Sequence, residues 1–239
     1  MSVTTAIILA GGLGTRLRSI LSDCPKVLAP VGGKPFLGYL LQYLASQGVQ
    51  EVILSVGYLA HQVKAFAPIA ATWNLQVRIV QETAPLGTAG AARLASSGLL
   101  KPFLLVNGDT LFLVDISALE KAHRQSAALA TMCLRHMTDV SARGRVEIDT
   151  HGLIQNFQEK TQIQGNALAN GGIYLFEPGA LDIVPEGKPA SLETDLFPKL
   201  ASMGKLAGFV QDAYFCDIGT PESLAEFEND LRSGKVTLA

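Results

Sequence analysis

A chain of 239 residues, 48% hydrophobic and 17% charged, is long enough to bury a sizeable core and too apolar to be a disordered or low-complexity chain. Its 19 basic and 21 acidic side chains leave a net charge of −2, which gives no bulk electrostatic reason for a nucleic-acid or anionic-lipid partner. No stretch reaches the roughly 18 consecutive apolar residues of a membrane span, and the first residues lack the basic start and cleavage pattern of a signal peptide.

In chain order, Thr5–Ala10 opens a series of short, nearly continuous apolar runs that continues at Glu51–Val56, 77–81 and 103–106. Such runs predict strands buried on both faces of a parallel sheet. Helices are predicted between them at 35–47, 59–66 and 88–97. In the first, Leu37, Leu40, Leu41 and Leu44 recur at helical spacing, between an opening Pro35 and a closing Gly48. After about residue 127 the pattern changes. Residues 145–149 and 153–158 flank Thr150-His151-Gly152 as a hairpin, 172–176 and 214–218 read as further strands, and helices return at 193–201 and Pro221–Arg232. The alternation argues for an α/β sheet with an appended β-rich sub-lobe. Cys24, Cys133 and Cys216 are odd in number with no C-x-x-C, and His61, His123, His136 and His151 lack metal-ligand spacing. A reduced, soluble, cytoplasmic protein without disulfides or zinc is expected.

The densest local signal is Leu9-Ala10-Gly11-Gly12-Leu13-Gly14-Thr15-Arg16-Leu17, directly after the first strand. Glycines there let backbone pass close to a ligand and turn N–H groups toward phosphate oxygens. Arg16 adds a fork of donors suited to two phosphate oxygens. The run lacks the third glycine of G-x-G-x-x-G and the Gly-Lys-Ser/Thr of a Walker loop. Lys26, held between Pro25 and Pro30, could neutralise another phosphate or simply be a solvated loop lysine. Asn107-Gly108-Asp109 ends the strand at 103–106, where open α/β sheets bind ligands. Asp109 could hold Mg²⁺, or the tripeptide could be only a tight turn.

The string L-A-G-G-x-G-T-R-L, followed by P-K-x-L-x-P-V-x-x-K-P, resembles the N-terminal signature of the sugar-1-phosphate nucleotidyltransferases. The resemblance extends from Ala6 to about Phe227. It implies a Rossmann-like, mostly parallel mixed sheet flanked by helices, of the nucleotide-diphospho-sugar transferase type, with a small β-rich sugar-binding sub-lobe. Residues 1–239 would form one domain, with about 1–126 the nucleotide-binding half and about 127–239 the sugar-binding half. It also implies that Leu9, Ala10, Gly11, Gly12, Gly14 and Thr15 wrap a nucleoside triphosphate, that Arg16 contacts the departing pyrophosphate, and that Lys26 steadies the phosphates.

The same resemblance makes Asp109 a magnesium ligand and supplies a second in Asp217, within Phe215-Cys216-Asp217-Ile218-Gly219-Thr220-Pro221. Two carboxylates about a hundred residues apart, each at a strand end beside glycine, suit a magnesium–triphosphate site assembled by folding. Glu82, five residues before Gly87, would meet the base, with Pro85, Leu86, Gly87 and Thr88 along the nucleotide. An ionised carboxylate only accepts hydrogen bonds, and guanine offers two adjacent donors, so Glu82 leans toward GTP.

On the sugar side, Phe157-Gln158-Glu159-Lys160 resembles F-x-E-K, in which Glu159 would bind sugar hydroxyls and Lys160 approach the sugar phosphate. Asn170-Gly171-Gly172-Ile173-Tyr174 resembles N-x-G-I-Y, which gives Asn170 and Gly171 substrate contacts beside Asn107 and Gly108. Gly144, after Arg143, would let a hexose approach backbone. Ser191-Leu192-Glu193-Thr194-Asp195 resembles S-x-E-x-D at a helix start, where a capping role is equally open.

The expected reaction is in-line attack of a sugar 1-phosphate on the α-phosphorus of GTP, with Mg²⁺ as cofactor and Arg16, Lys26, Asp109 and Asp217 as the catalytic set. The motif combination most resembles D-glycero-D-manno-heptose 1-phosphate guanylyltransferases. Mannose-1-phosphate guanylyltransferases and N-acetylmuramate-1-phosphate uridylyltransferases are the alternatives. A catalytically silent nucleotide-sugar-binding subunit is the reading from another class; it would have no need to keep all four of those residues. Apolar helix faces such as residues 37–44 fit either the core or a homodimer interface.

Overall fold

The four apolar runs of the first half become the parallel core of one sheet. β1 (Thr5–Ala10) pairs on one side with β4 (Glu51–Val56) and on the other with β6 (Phe103–Asn107), and β4 pairs with β5 (Gln76–Gln81). Side chains alternate between two cores. Ala6, Ile8, Val52, Leu54, Leu104 and Val106 face one, whereas Ile7, Ile53, Phe103 and Leu105 face the other. Because both faces of β1, β4 and β6 are covered, these three carry no polar alternation, whereas β5 alternates over Gln76–Ile79. The computed structural model describes residues 2–12, 14, 17, 21, 23–139, 145–158 and 164–238, with backbone only at 138, 139, 158 and 164–166.

Helices fill both layers. α1 (Phe36–Ser46), α2 (Ala60–Phe66) and α6 (Pro221–Arg232) pack on the first face, and α3 (Gly87–Ala95) and α5 (Phe197–Ser202) on the second. α6 is tied to α1 by Phe227, whose ring stands edge-on to Phe36 at 5.5 Å and to Tyr39 at 5.2 Å. Thr220 opens α6 with a reciprocal capping bond to Ser223, and Pro221 follows at the first turn.

Within the main sheet, the second half joins the first through one long strand. β11 (Gln164–Phe176) runs antiparallel to β6 over residues 173–176, and also pairs with β8 (Ala130–Asp139) and β9 (Arg145–Ile148). β10 (Ile154–Gln158) closes the expected hairpin with β9, and β12 (Leu206–Val210) lies parallel to β8. The sheet order is β10-β9-β11-β6-β1-β4-β5, with β8 and β12 branching from β11. A separate ribbon joins β7 (Thr110–Phe112) to β13 (Phe215–Asp217), and β2 (Pro30–Val31) pairs with β3 (Lys34–Pro35). The α/β class and the mixed, helix-flanked sheet agree with the sequence reading.

Several elements differ from it. The strand expected at 172–176 is the last part of thirteen-residue β11, which continues through Gly171 and Gly172 by a register shift between Asn170 and Tyr174. The helix expected at 193–201 divides into a wide turn at Leu192–Leu196, closed by Leu196 N–H donating to Ser191 O at 3.2 Å, and then α5. β7, β8, β12 and α4 (Ile116–Ser126) had no counterpart in the sequence reading. α4 is amphipathic but polar in composition, and it turns Glu120 and His123 inward beside Ile116 and Leu119. Its legible signal was Asp115, whose carboxylate accepts from Ser117 N–H at 2.8 Å and Ala118 N–H at 3.1 Å.

Candidate active site

The carboxyl ends of β1 and β6 meet through a glycine. Gly108 N–H donates to Leu9 O at 3.1 Å, and a Cβ at Gly108 would stand 2.4 Å from that oxygen and 2.7 Å from Val27 Cγ1. Only a residue without a side chain lets the turn after β6 lie on the end of β1. That contact sets where Asp109 begins. β7 then leaves the turn and pairs with β13 in a register that puts Asp217 opposite Thr110, and Ile218 N–H donates to Asp109 O at 2.9 Å. The two distant aspartates thus sit on adjacent backbone. Their openings differ: Asp109 lines a cavity of about 190 Å³, and Asp217 lines a neighbouring one of about 420 Å³ with Tyr214, Asp230 and Lys235.

Lys26 starts a single 3₁₀ turn, Lys26–Leu28, entered from Pro25. Its Nζ donates to Asp109 Oδ2 at 2.5 Å, and Thr110 Oγ1 donates to Asp109 Oδ1 at 3.2 Å. The glycine bend lies over the lysine stem: Gly14 has φ +57°, and a Cβ there would be 3.3 Å from Lys26 Cβ. At Gly12 a Cβ would meet nothing within 4 Å. The smaller cavity gathers Leu9, Ala10, Gly12, Lys26, Thr88, Asn107, Gly108 and Asp109, all expected at the site. Thr15, Arg16, Gly144, Glu159 and Lys160 lie outside the described residues.

Glu82 has a structural task in addition to the expected contact with a base. Its Oε2 accepts from Leu86 N–H at 3.0 Å. Its Oε1 lies where a Cβ at Gly57 would be, at 2.3 Å, and 3.0 Å from a Cβ at Gly11. One carboxylate therefore packs three loops together. Gly57 escaped the sequence reading, although a glycine directly after an apolar strand was its available signal. Gly87, at φ +68°, also serves packing, since a Cβ there would be 2.5 Å from Ala190 O. That carbonyl accepts from Ala89 N–H at 2.9 Å and Gly90 N–H at 3.3 Å, while Ala190 N–H donates to Leu86 O at 2.8 Å. Two of the first-turn donors of α3, at Ala89 and Gly90, are thus taken by protein.

Thr88 joins that seam to the cavity. Its hydroxyl donates to Glu193 Oε2 at 3.1 Å and accepts from Leu192 N–H at 2.8 Å. Ser191 caps the wide turn by accepting from the N–H groups of Glu193 and Thr194, and its own N–H donates to Asp195 Oδ2 at 2.7 Å. The capping role left open for residues 191–195 is observed.

On the β11 wall, Asn170 Oδ1 accepts from Gly172 N–H at 2.9 Å, and its Nδ2 donates to the Tyr174 hydroxyl at 2.8 Å. These bonds shape the register shift. A Cβ at Gly171 would be 2.4 Å from the Phe112 ring, so that glycine is required by packing as well. Tyr174 is fully buried, and burial first, then the charge of Glu193, pushes its hydroxyl pKa far up. His123 is apart from this set, with Nδ1 2.7 Å from Thr131 Oγ1 and Nε2 3.2 Å from Glu177 Oε1. His136 pairs with Asp212 on the surface at 2.9 Å.

The donor chemistry of the cleft fits a hard cation. Asp109 and Asn107 offer oxygens to a cavity lined by neither cysteine nor histidine, with Thr110 beside them and Asp217 on the paired strand opening into the other cavity. Among the described residues no group of three or more His, Cys, Asp or Glu could hold a metal alone. Mg²⁺ suits that arrangement, because it uses one or two carboxylates and completes its shell with phosphates and water.

The profile of the nucleotidyl transferase family matches residues 5–234. The D-glycero-alpha-D-manno-heptose 1-phosphate guanylyltransferase of Aneurinibacillus thermoaerophilus is 36% identical over 95% of this chain and 98% of its own length. The mannose-1-phosphate guanylyltransferase of Mycobacterium tuberculosis is 35% identical over 96% of this chain, which spans 65% of that longer protein. The crystal structure of HddC from Yersinia pseudotuberculosis has a TM-score of 0.86 at 34% identity and covers 96% of this chain and 100% of that one. A second structure of HddC, complexed with GMP-PN, gives 0.85 at the same identity and coverage.

Proposed function

The chain belongs to the nucleotidyl transferase family, and from that premise we propose that it transfers GMP from GTP to a sugar 1-phosphate, releasing pyrophosphate. D-glycero-D-manno-heptose 1-phosphate is the acceptor favoured, on the near full-length match to the A. thermoaerophilus enzyme. The observation that carries the reading is the pairing of Lys26 with Asp109 in a glycine-lined cavity, with the Asp217 strand paired to the strand that follows Asp109. Residues 1–126 serve the nucleotide and 127–239 the sugar. The free thiols of Cys24, Cys133 and Cys216 support a reducing, cytoplasmic setting.

The sugar phosphate oxygen attacks the α-phosphorus in line with the departing pyrophosphate. The reaction needs no covalent nucleophile from the chain, and burial holds the thiols of Cys133 and Cys216 far above their ordinary pKa. Its residues position two polyanions and cancel their repulsion. Gly12 leaves the cleft open to phosphates, Lys26 and Arg16 meet their charge, and Lys160 meets the sugar phosphate. Glu82 presents Oε1 as an acceptor to the guanine donors. Asp109 and Asp217 hold Mg²⁺, which when bound neutralises phosphate charge and polarises the reacting phosphoryl group.

The test is to incubate the protein and Mg²⁺ with each common triphosphate against heptose-, mannose-, glucose- and N-acetylmuramate 1-phosphate, and to assay pyrophosphate. GTP with the heptose phosphate should give the highest rate. Turnover confined to UTP and N-acetylmuramate 1-phosphate overturns the base and sugar assignments. Binding without pyrophosphate from any pair returns a silent nucleotide-sugar-binding subunit.

A further inference from the structure

Asp109, proposed above as a ligand of Mg²⁺, has both carboxylate oxygens engaged by the protein. Lys26 Nζ holds Oδ2 at 2.5 Å, and Thr110 Oγ1 holds Oδ1 at 3.2 Å. The lysine side chain is 13% exposed and that of Asp109 32%. Lys26 is fixed at its base by the turn after Pro25, and the Gly14 bend lies within 3.3 Å of its Cβ position. Its ammonium can therefore exchange Asp109 for a partner in the cavity that both residues line with Ala10 and Gly12. A divalent cation at Asp109 would meet the ammonium of Lys26 as a like charge in a half-buried place, where repulsion is less screened than in water.

We infer that Lys26 stands in for the metal at Asp109 and makes cation binding there conditional on a polyphosphate that draws the lysine away. This rests on the phosphate-binding reading of the cleft and adds a coupling to it. When a triphosphate enters, Lys26 moves from carboxylate to phosphate and Asp109 becomes available to the dication. In the absence of anion the ion pair keeps the site closed to free metal. By linkage, whatever factor separates metal affinity with and without polyphosphate also separates polyphosphate affinity with and without metal.

The direct probe is Mn²⁺ alone, with free ion read by electron paramagnetic resonance against wild type and Lys26→Met, which keeps the length of the stem and removes the charge. The variant should bind Mn²⁺ about tenfold more tightly than wild type, within the range usual for coupled sites. A second measurement uses a non-hydrolysable GTP analogue in EDTA. Asp109→Asn frees Lys26 and should bind the analogue about tenfold more tightly than wild type, whereas Asp217→Asn, which loses the same charge on the neighbouring strand, should gain less. Thermal melts establish that each variant is folded. Lys26→Met binding Mn²⁺ no better than wild type, or the two aspartate variants behaving alike, overturns the inference. Pyrophosphate formation by the wild type reports on the proposed function independently, so turnover without these affinity changes removes the coupling and leaves the function standing.

Discussion

On the β1–β6 side of the cleft, backbone approaches backbone. Gly108 rests on Leu9 O, and Gly57 and Gly11 make room for the carboxylate of Glu82. On the β11 wall and at the start of α3, side chains bridge the gaps: Asn170 spans from Gly172 to Tyr174, and Thr88 reaches Glu193 and Leu192. The first construction is steric and tolerates no added atom, because a displaced carbonyl moves the strand end that carries it. The second is a set of hydrogen bonds, each worth a limited amount and removable singly. The two walls should therefore answer substitution differently.

Gly108→Ala should have the largest effect. Its Cβ must displace a backbone oxygen 2.4 Å away, at a cost of roughly 3 kcal/mol for overpacking. Asp109 moves with the turn, so pyrophosphate release should fall at least about a hundredfold. Gly12→Ala, placed in open space, is the control for the fold, and its melting temperature should match wild type. A Gly108→Ala protein with wild-type melting and turnover would break the contrast between the walls.

Asn170→Ala should come next, at roughly 2 kcal/mol by chemical denaturation. It deletes two hydrogen bonds and leaves the buried Tyr174 hydroxyl short of a partner. Thr88→Val keeps the shape and removes the bonds to Glu193 and Leu192, which should cost about 1 kcal/mol. Losses on this wall as large as that of Gly108→Ala would show that it too is sterically set.

The smallest effect should come from His123, away from both walls. Burial, with help from the charge of Arg124 and against the pull of Glu177, lowers its pKa below the ordinary 6.5. Its folded form thus resists a proton that the unfolded chain accepts. Stability from this source is complete above pH 6.5 and falls as pH drops through that value toward the folded pKa. Denaturation curves at pH 7.5 and 5.5 should differ more for wild type than for His123→Asn. Equal differences would remove His123 as a source of acid sensitivity.

The sequence by itself determined the central strands, since an apolar run buried on both faces needs no partner to announce it. It also determined α1 and α6, whose spacing and prolines are local signals, and the glycine bend, whose composition few other structures require. What it could not show was which contact each glycine serves. Gly57, Gly87 and Gly171 matter because of Glu82, Ala190 and Phe112, residues 25 to 103 positions away. α4 stayed hidden because its inward face includes Glu120 and His123, satisfied by Val3 N–H and by Thr131. Tertiary structure alone decided that β13 would lie on β7 and bring Asp217 beside the turn of Asp109. Strand pairing is a choice among distant partners, and local residue pattern carries no term for the distance between them.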